Sequence, residues 1–179
     1  MDRPIGPHTR VVGFGNQLVE VHIWLREALA ELREDVDAYV DGGERPRQLR
    51  AHCLTFCSAL SRHHSGEDDG VFAVLAEQVP QLRPVLEQLR HDHDVVSGLL
   101  RSIEDLVGGL APDPDADEAQ RVRSDLDGLT ALLESHFRYE ERTLVSALNA
   151  LSVPALDDAR GDVLLAGADA TPEDGRTGT

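Results

Sequence analysis

Apolar residues recur at alternating steps of three and four along four stretches of the chain, and clusters of Gly, Pro and Asp separate the stretches. Residues three and four apart share one face of an α-helix, so each stretch predicts an amphipathic helix. The first runs from about Phe14 to Tyr39 with Leu18, His22, Leu25, Leu29, Leu32 and Val36 on its stripe, and Asp41-Gly42-Gly43 ends it. The second runs from about Arg45 to Glu77 with Leu49, Cys53, Phe56, Leu60, His63 and Glu67 inward. Gly66 and Gly70 fall inside it, which predicts a kink or irregular turn beside His63 and Glu67. The third spans about Pro84 to Val107 with Leu86, Leu89, His93, Val96, Leu100, Ile103 and Val107 inward. The fourth spans about Ala116 to Leu151 with Val122, Leu126, Leu129, Leu133, His136, Glu140, Ala147 and Leu151 inward, and Pro154 closes it. The pattern predicts an all-α, up-down-up-down four-helix bundle over residues 1–153. Residues 154–179, rich in Asp, Gly, Ala and Thr, are expected to form a flexible, disordered acidic tail.

The polar interruptions of these stripes fall at one depth. His22 lies about as far before the turn near Gly43 as His63 and Glu67 lie after it, and His93 stands in the same relation to His136 and Glu140 about a turn near Asp113. In a bundle with axes about 8 to 10 Å apart, all six side chains reach the centre of one layer. Burying such groups is costly unless a cation compensates. Four imidazoles and two carboxylates exceed a four-coordinate structural zinc site and suit two metals sharing carboxylates, with two iron ions the expected pair.

The other candidates are read from their phase. His91 is rotated by about 200° from His93 and should face solvent. His64 sits one residue off its stripe, as a group that orients a ligand or packs beside it, with direct ligation the less favoured option. His8 and His52 read as surface groups, while Trp24, Phe137 and Tyr139 read chiefly as wall residues. Cys53 and Cys57, four apart on one helix, read as reduced core residues.

Composition narrows the partners. The 179-residue chain carries a formal net charge of −16, which argues against nucleic acid and anionic membrane surfaces. No apolar run is long enough to span a bilayer, and the first ten residues lack a secretory layout, so a cytoplasmic protein is expected. No phosphate-binding glycine loop or second domain is legible, which disfavours a large organic substrate.

With His22, the run His63-His64-Ser65-Gly66-Glu67-Asp68, His93, and the run His136-Phe137-Arg138-Tyr139-Glu140-Glu141-Arg142, the chain resembles the hemerythrin-like (HHE cation-binding) domain family from about Val12 to Leu151. The resemblance implies a non-haem di-iron centre, oxo- or hydroxo-bridged, with His22, His63, Glu67, His93, His136 and Glu140 as ligands and both glutamates bridging. Oxygen-carrying members place a second histidine four residues along helix three and an aspartate five along helix four. Here position 97 is Ser, and Glu140 follows His136 by four. Six protein ligands leave room for exogenous molecules, so the expectation shifts from reversible oxygen carriage to binding or turnover of hydrogen peroxide, oxygen or nitric oxide, in a catalase- or peroxidase-like manner. The alternative is an iron, oxygen or nitric oxide sensor, or an iron-binding module without turnover. Monomer against homodimer, and manganese or zinc in place of iron, are left open.

Overall fold

The computed structural model describes residues 13–43 and 49–151. Five α-helices follow in order: α1 (Phe14–Val40), α2 (Leu49–Gly66), a short α3 (Phe72–Gln78), α4 (Arg83–Gly109) and α5 (Ala116–Ala150). A π-helical segment, Glu67–Val71, joins α2 to α3 as one interrupted rod, and a 3-10 turn, Pro80–Leu82, leads into α4. The result is four rods, with no strand among the described residues. α1 and α4 each pack against α2 and α5, closing a ring of neighbours. The predicted start of the second helix at Arg45 and the tail at 154–179 lie outside the described residues.

The helix ends follow from local chemistry. At the end of α1, Gly43 N–H donates to Ala38 C=O at 3.0 Å and Gly42 N–H to Tyr39 C=O at 3.2 Å, a pair of bonds that requires the left-handed backbone Gly42 adopts at φ 94°. Pro84 occupies the first turn of α4, where its missing N–H is harmless. Asp115 caps α5 by accepting from Glu118 N–H at 2.8 Å, and Asp117 and Glu118 face the positive end of the helix dipole. α1 has no such side chain of its own, since Gly13 precedes it. Asn149 of α5 supplies the cap instead, accepting from Gly15 N–H at 2.9 Å. A Cβ on Gly15 would meet the Val145 carbonyl oxygen at 2.5 Å, so glycine is what lets α1 and α5 approach this closely.

The apolar stripes close on one another as the periodicity predicts, but the fourth drifts. Beyond Glu140 the buried positions are Leu144 and Leu148, while the expected Ala147 and Leu151 are only half-buried. A straight helix rotates by about 20° per heptad against a strict seven-residue repeat, so a long α5 passes its inward face to steps of four.

The core is divided. One apolar cluster, including Leu25, Leu29, Leu60, Val96, Leu133 and Phe137, fills one side. Another, including Leu18, Val71, Phe72, Leu89 and Leu144, fills the other. On every rod the boundary between them falls at a histidine or glutamate: His22 between Leu18 and Leu25, His63 and Glu67 between Leu60 and Val71, His93 between Leu89 and Val96, and His136 and Glu140 between Leu133 and Leu144.

Candidate metal centre

The buried polar and charged side chains among the described residues are His22, His63, His64, Glu67, His93, His136 and Glu140, none more than 4% exposed. All seven belong to the layer between the two apolar clusters. The six residues expected there from the sequence are brought together, and His64 joins them.

The imidazoles meet in two pairs. His22 Nε2 and His63 Nε2 stand 3.0 Å apart, and His93 Nε2 and His136 Nε2 stand 3.2 Å apart. Two donors held at right angles about one cation, each at about 2.1 Å, lie about 3.0 Å from each other. The carboxylates connect the pairs. Glu67 places Oε1 3.3 Å from His63 Nε2 and Oε2 3.6 Å from His93 Nε2, one oxygen toward each pair. Glu140 Oε2 lies 3.4 Å from His22 Nε2 and 3.7 Å from His136 Nε2. Glu67 Oε2 and both oxygens of Glu140 are buried without a hydrogen-bond partner. Unpaired carboxylate oxygens in a dry core are expensive, and a cation between them removes that cost.

Outer carboxylates set the direction of the rings. His22 Nδ1 lies 2.9 Å from Glu141 Oε1, and His93 Nδ1 lies 3.0 Å from Asp68 Oδ1. An ionised carboxylate only accepts, so both Nδ1 atoms carry the proton and both Nε2 atoms present a lone pair to the centre. Asp92 Oδ2 stands 3.6 Å from His136 Nδ1, close enough to bias the same tautomer. Arg26 fixes Glu141 in turn, donating to it at 2.9 Å and to Glu134 at 2.7 Å. Neither His136 Nδ1 nor His63 Nδ1 has a hydrogen-bond partner, and among the described residues His63 Nδ1 also lacks a carboxylate nearby.

The π-helical segment explains how consecutive acids serve two rods. Phe72 N–H bonds back to the carbonyl of Glu67, five residues away, so one extra residue is accommodated in the turn. Glu67 points inward, while Asp68 reaches His93 on α4 and its carbonyl accepts from Arg90 at 3.2 Å. Gly66 and Gly70 flag this irregularity in the sequence.

The electrostatics of the metal-free layer are opposed to one another. Burial, reinforced by the charge of nearby Glu140, holds the Glu67 carboxyl well above the usual carboxylate range. Burial pushes Glu140 the same way, but contact with His22 and the charges of His22, His136 and His63 overcome it and hold the group down at about 2. Burial drives His63 down to about 3, with the charge of His22 adding to it, and drives His64 and His136 downward as well. For these three histidines the unfolded chain binds more protons than the folded one between the folded value and about 6.5, so their contribution to stability is complete above about 6.5 and lost as pH falls. Glu140 adds a loss below about 4.5, whereas Glu67 opposes it, stabilising the fold at low pH and losing that contribution as pH rises. Three imidazoles outweigh one carboxyl. The melting temperature of metal-free protein should therefore fall by several degrees from pH 7 to pH 5 in scanning calorimetry, and a flat or rising profile would contradict the burial assigned to these rings.

The remaining sequence candidates take the places expected of them. His91 is exposed, and His52 is exposed beside Asp35 at 2.9 Å. Phe137 stacks on the His22 ring with centroids 4.0 Å apart, Trp24 packs against the cluster on that side, and Tyr139 packs against the other. Cys53 and Cys57 are buried and free. His8 lies outside the described residues.

A helical bundle whose only buried polar layer among the described residues is a set of facing imidazoles and carboxylates is a metal-binding protein. Residues 15–148 match the hemerythrin HHE cation-binding domain, and the chain belongs to that family. No curated protein and no solved structure gave a match. Among the described residues no helix is long and apolar enough to cross a membrane.

Proposed function

We propose that the chain holds two iron ions in this layer and binds or turns over a small oxidant, with hydrogen peroxide, oxygen and nitric oxide the candidate molecules. The observation that carries the reading is Glu67, whose two oxygens face two separate imidazole pairs. His22 and His63 would hold one ion and His93 and His136 the other, with Glu67 and Glu140 shared. Bound iron would supply electrons and Lewis acidity.

The protein's own part is selection and restraint. A cleft of about 180 Å³ between α1 and α5 is lined by Arg26, Leu29, Arg33, Leu133, Glu134 and Phe137. Phe137, 1% exposed, lies flat on His22 and closes the inner side of this cleft, while a second cleft of about 670 Å³ between α4 and α5 is lined by Asp92 and His136. With the layer itself buried, the entrant would be a diatomic or a peroxide rather than a bulky organic substrate. The Arg26–Glu141–His22 chain keeps the His22 lone pair inward while ligands exchange.

Protein reconstituted with ferrous iron should carry two irons per chain, absorb in the near-ultraviolet after oxidation, and evolve oxygen from hydrogen peroxide. His63→Ala should abolish the absorption band. Two irons with no reaction toward peroxide, oxygen or nitric oxide would remove the turnover reading, and metal-dependent unfolding alongside that inertness would assign the chain to sensing or storage.

A further inference from the structure

His64 lies outside the ligand set that the sequence pattern and the proposed function use, yet it is 4% exposed and belongs to the same layer. Its ring lies against His93 with centroids 3.9 Å apart and planes 9° from parallel, and meets His136 edge-on at 5.2 Å. Ring lone pairs lie in the ring plane, so sharing one ion requires the His64 or His93 ring to turn about its side-chain bonds. The Nε2 atom of His64 is buried without a hydrogen-bond partner. A leucine could fill similar space without stranding a polar atom, a defect that proteins seldom keep unless something satisfies it. The donor atoms that His64, His93 and His136 can offer lie within 4.8 Å of one another, and those of His22, His63, Glu67 and Glu140 form a second such group.

We infer that His64 is a seventh metal ligand, completing with His93 and His136 a three-imidazole face on one ion of the pair. The inference rests on the two-ion reading above and deepens it. His63 and His64, neighbours in the last turn of α2, then serve different ions, because a 100° step around the helix turns one toward α1 and the other toward α4. Both carboxylates reach each pair, so the His64 side has three imidazoles and the His22–His63 side has two. The ion with fewer protein donors sits beside Phe137 and the cleft between α1 and α5.

Cobalt(II) titration of the full chain tests this, with binding followed by calorimetry and the visible ligand-field bands. Wild-type protein should take up two ions tightly, and His64→Leu should keep one tight site while the other weakens by more than about 100-fold. Two sites of unchanged affinity in His64→Leu would overturn the seventh-ligand assignment and leave the two-ion reading intact, whereas a single ion in wild-type protein would overturn both. Should the leucine variant not fold, proton spectra of cobalt-loaded wild-type protein decide the matter. Five exchangeable, hyperfine-shifted imidazole N–H signals support the assignment, and four overturn it.

Discussion

Removing bound metal should lower the melting temperature by roughly 8 to 16 °C for each ion lost, the shift expected when an ion present at about a thousand times its dissociation constant contributes about 4 kcal/mol to a domain of this size. The reason lies in the layer itself. Without cations, Glu67 Oε2 and both Glu140 oxygens have no hydrogen-bond partner, and two imidazole Nε2 pairs face each other at 3.0 and 3.2 Å. One member of each facing pair must then carry a proton or the lone pairs repel. The layer also lies between the two apolar clusters, so its distortion is transmitted to both. Circular dichroism melts of chelator-stripped protein, repeated after anaerobic return of ferrous iron, make the comparison. Superimposable melts would mean that the buried polar groups are satisfied without metal, and the metal-binding account of this layer would fall.

Much of this arrangement is legible in the sequence because burial and helical phase are nearly the same information. The stripe on α4, Leu86 to Val107 through His93, has every expected member buried. What escaped the pattern had physical reasons. The far end of α5 drifted because a repeat of three and four is only an approximation to 3.6 residues per turn. His64 lies off the stripe because a single stripe treats a helix as having one partner, whereas α2 faces both α1 and α4 and buries His64 beside the expected ligands. The carboxylates that hold the imidazole rings were missed although each is adjacent in sequence to a core residue of the layer: Asp68 follows Glu67, Asp92 precedes His93, and Glu141 follows Glu140. Each faces a histidine on the next rod: Asp68 and Glu141 within hydrogen-bond distance of His93 and His22, and Asp92 at 3.6 Å from His136. The cycle stops at α1, where the residues flanking His22 are Val21 and Ile23, and His63 is correspondingly the histidine of the pairs with no carboxylate at its Nδ1. An acid beside an inward ligand, repeated on successive helices, is the signal that could have found them.

Replacing Glu67 should separate function from stability in opposite directions. Glu67→Met removes the side chain that faces both imidazole pairs, so affinity for each of the two proposed ions should fall by more than about 100-fold. In the metal-free state the same change removes a carboxyl that burial and Glu140 keep from ionising, and puts an apolar chain of similar volume in its place. Removing one member of a buried charged pair is destabilising when it strands a charge, but burial and the charge of Glu140 disfavour the ionised form of Glu67, so its removal strands none and metal-free Glu67→Met should unfold at equal or higher urea than metal-free wild type. Glu67→Gln, closest in shape to the protonated carboxyl, should leave metal-free stability nearly unchanged while binding is still lost. A structural role makes the contrary forecast. If Glu67 chiefly anchored the π-helical turn or hydrogen-bonded its neighbours, Glu67→Met would destabilise the metal-free protein and reduce metal uptake only as far as it unfolded the chain. Urea curves on stripped proteins, paired with metal titrations of the same preparations, distinguish a residue kept for its ligand from one kept for the fold.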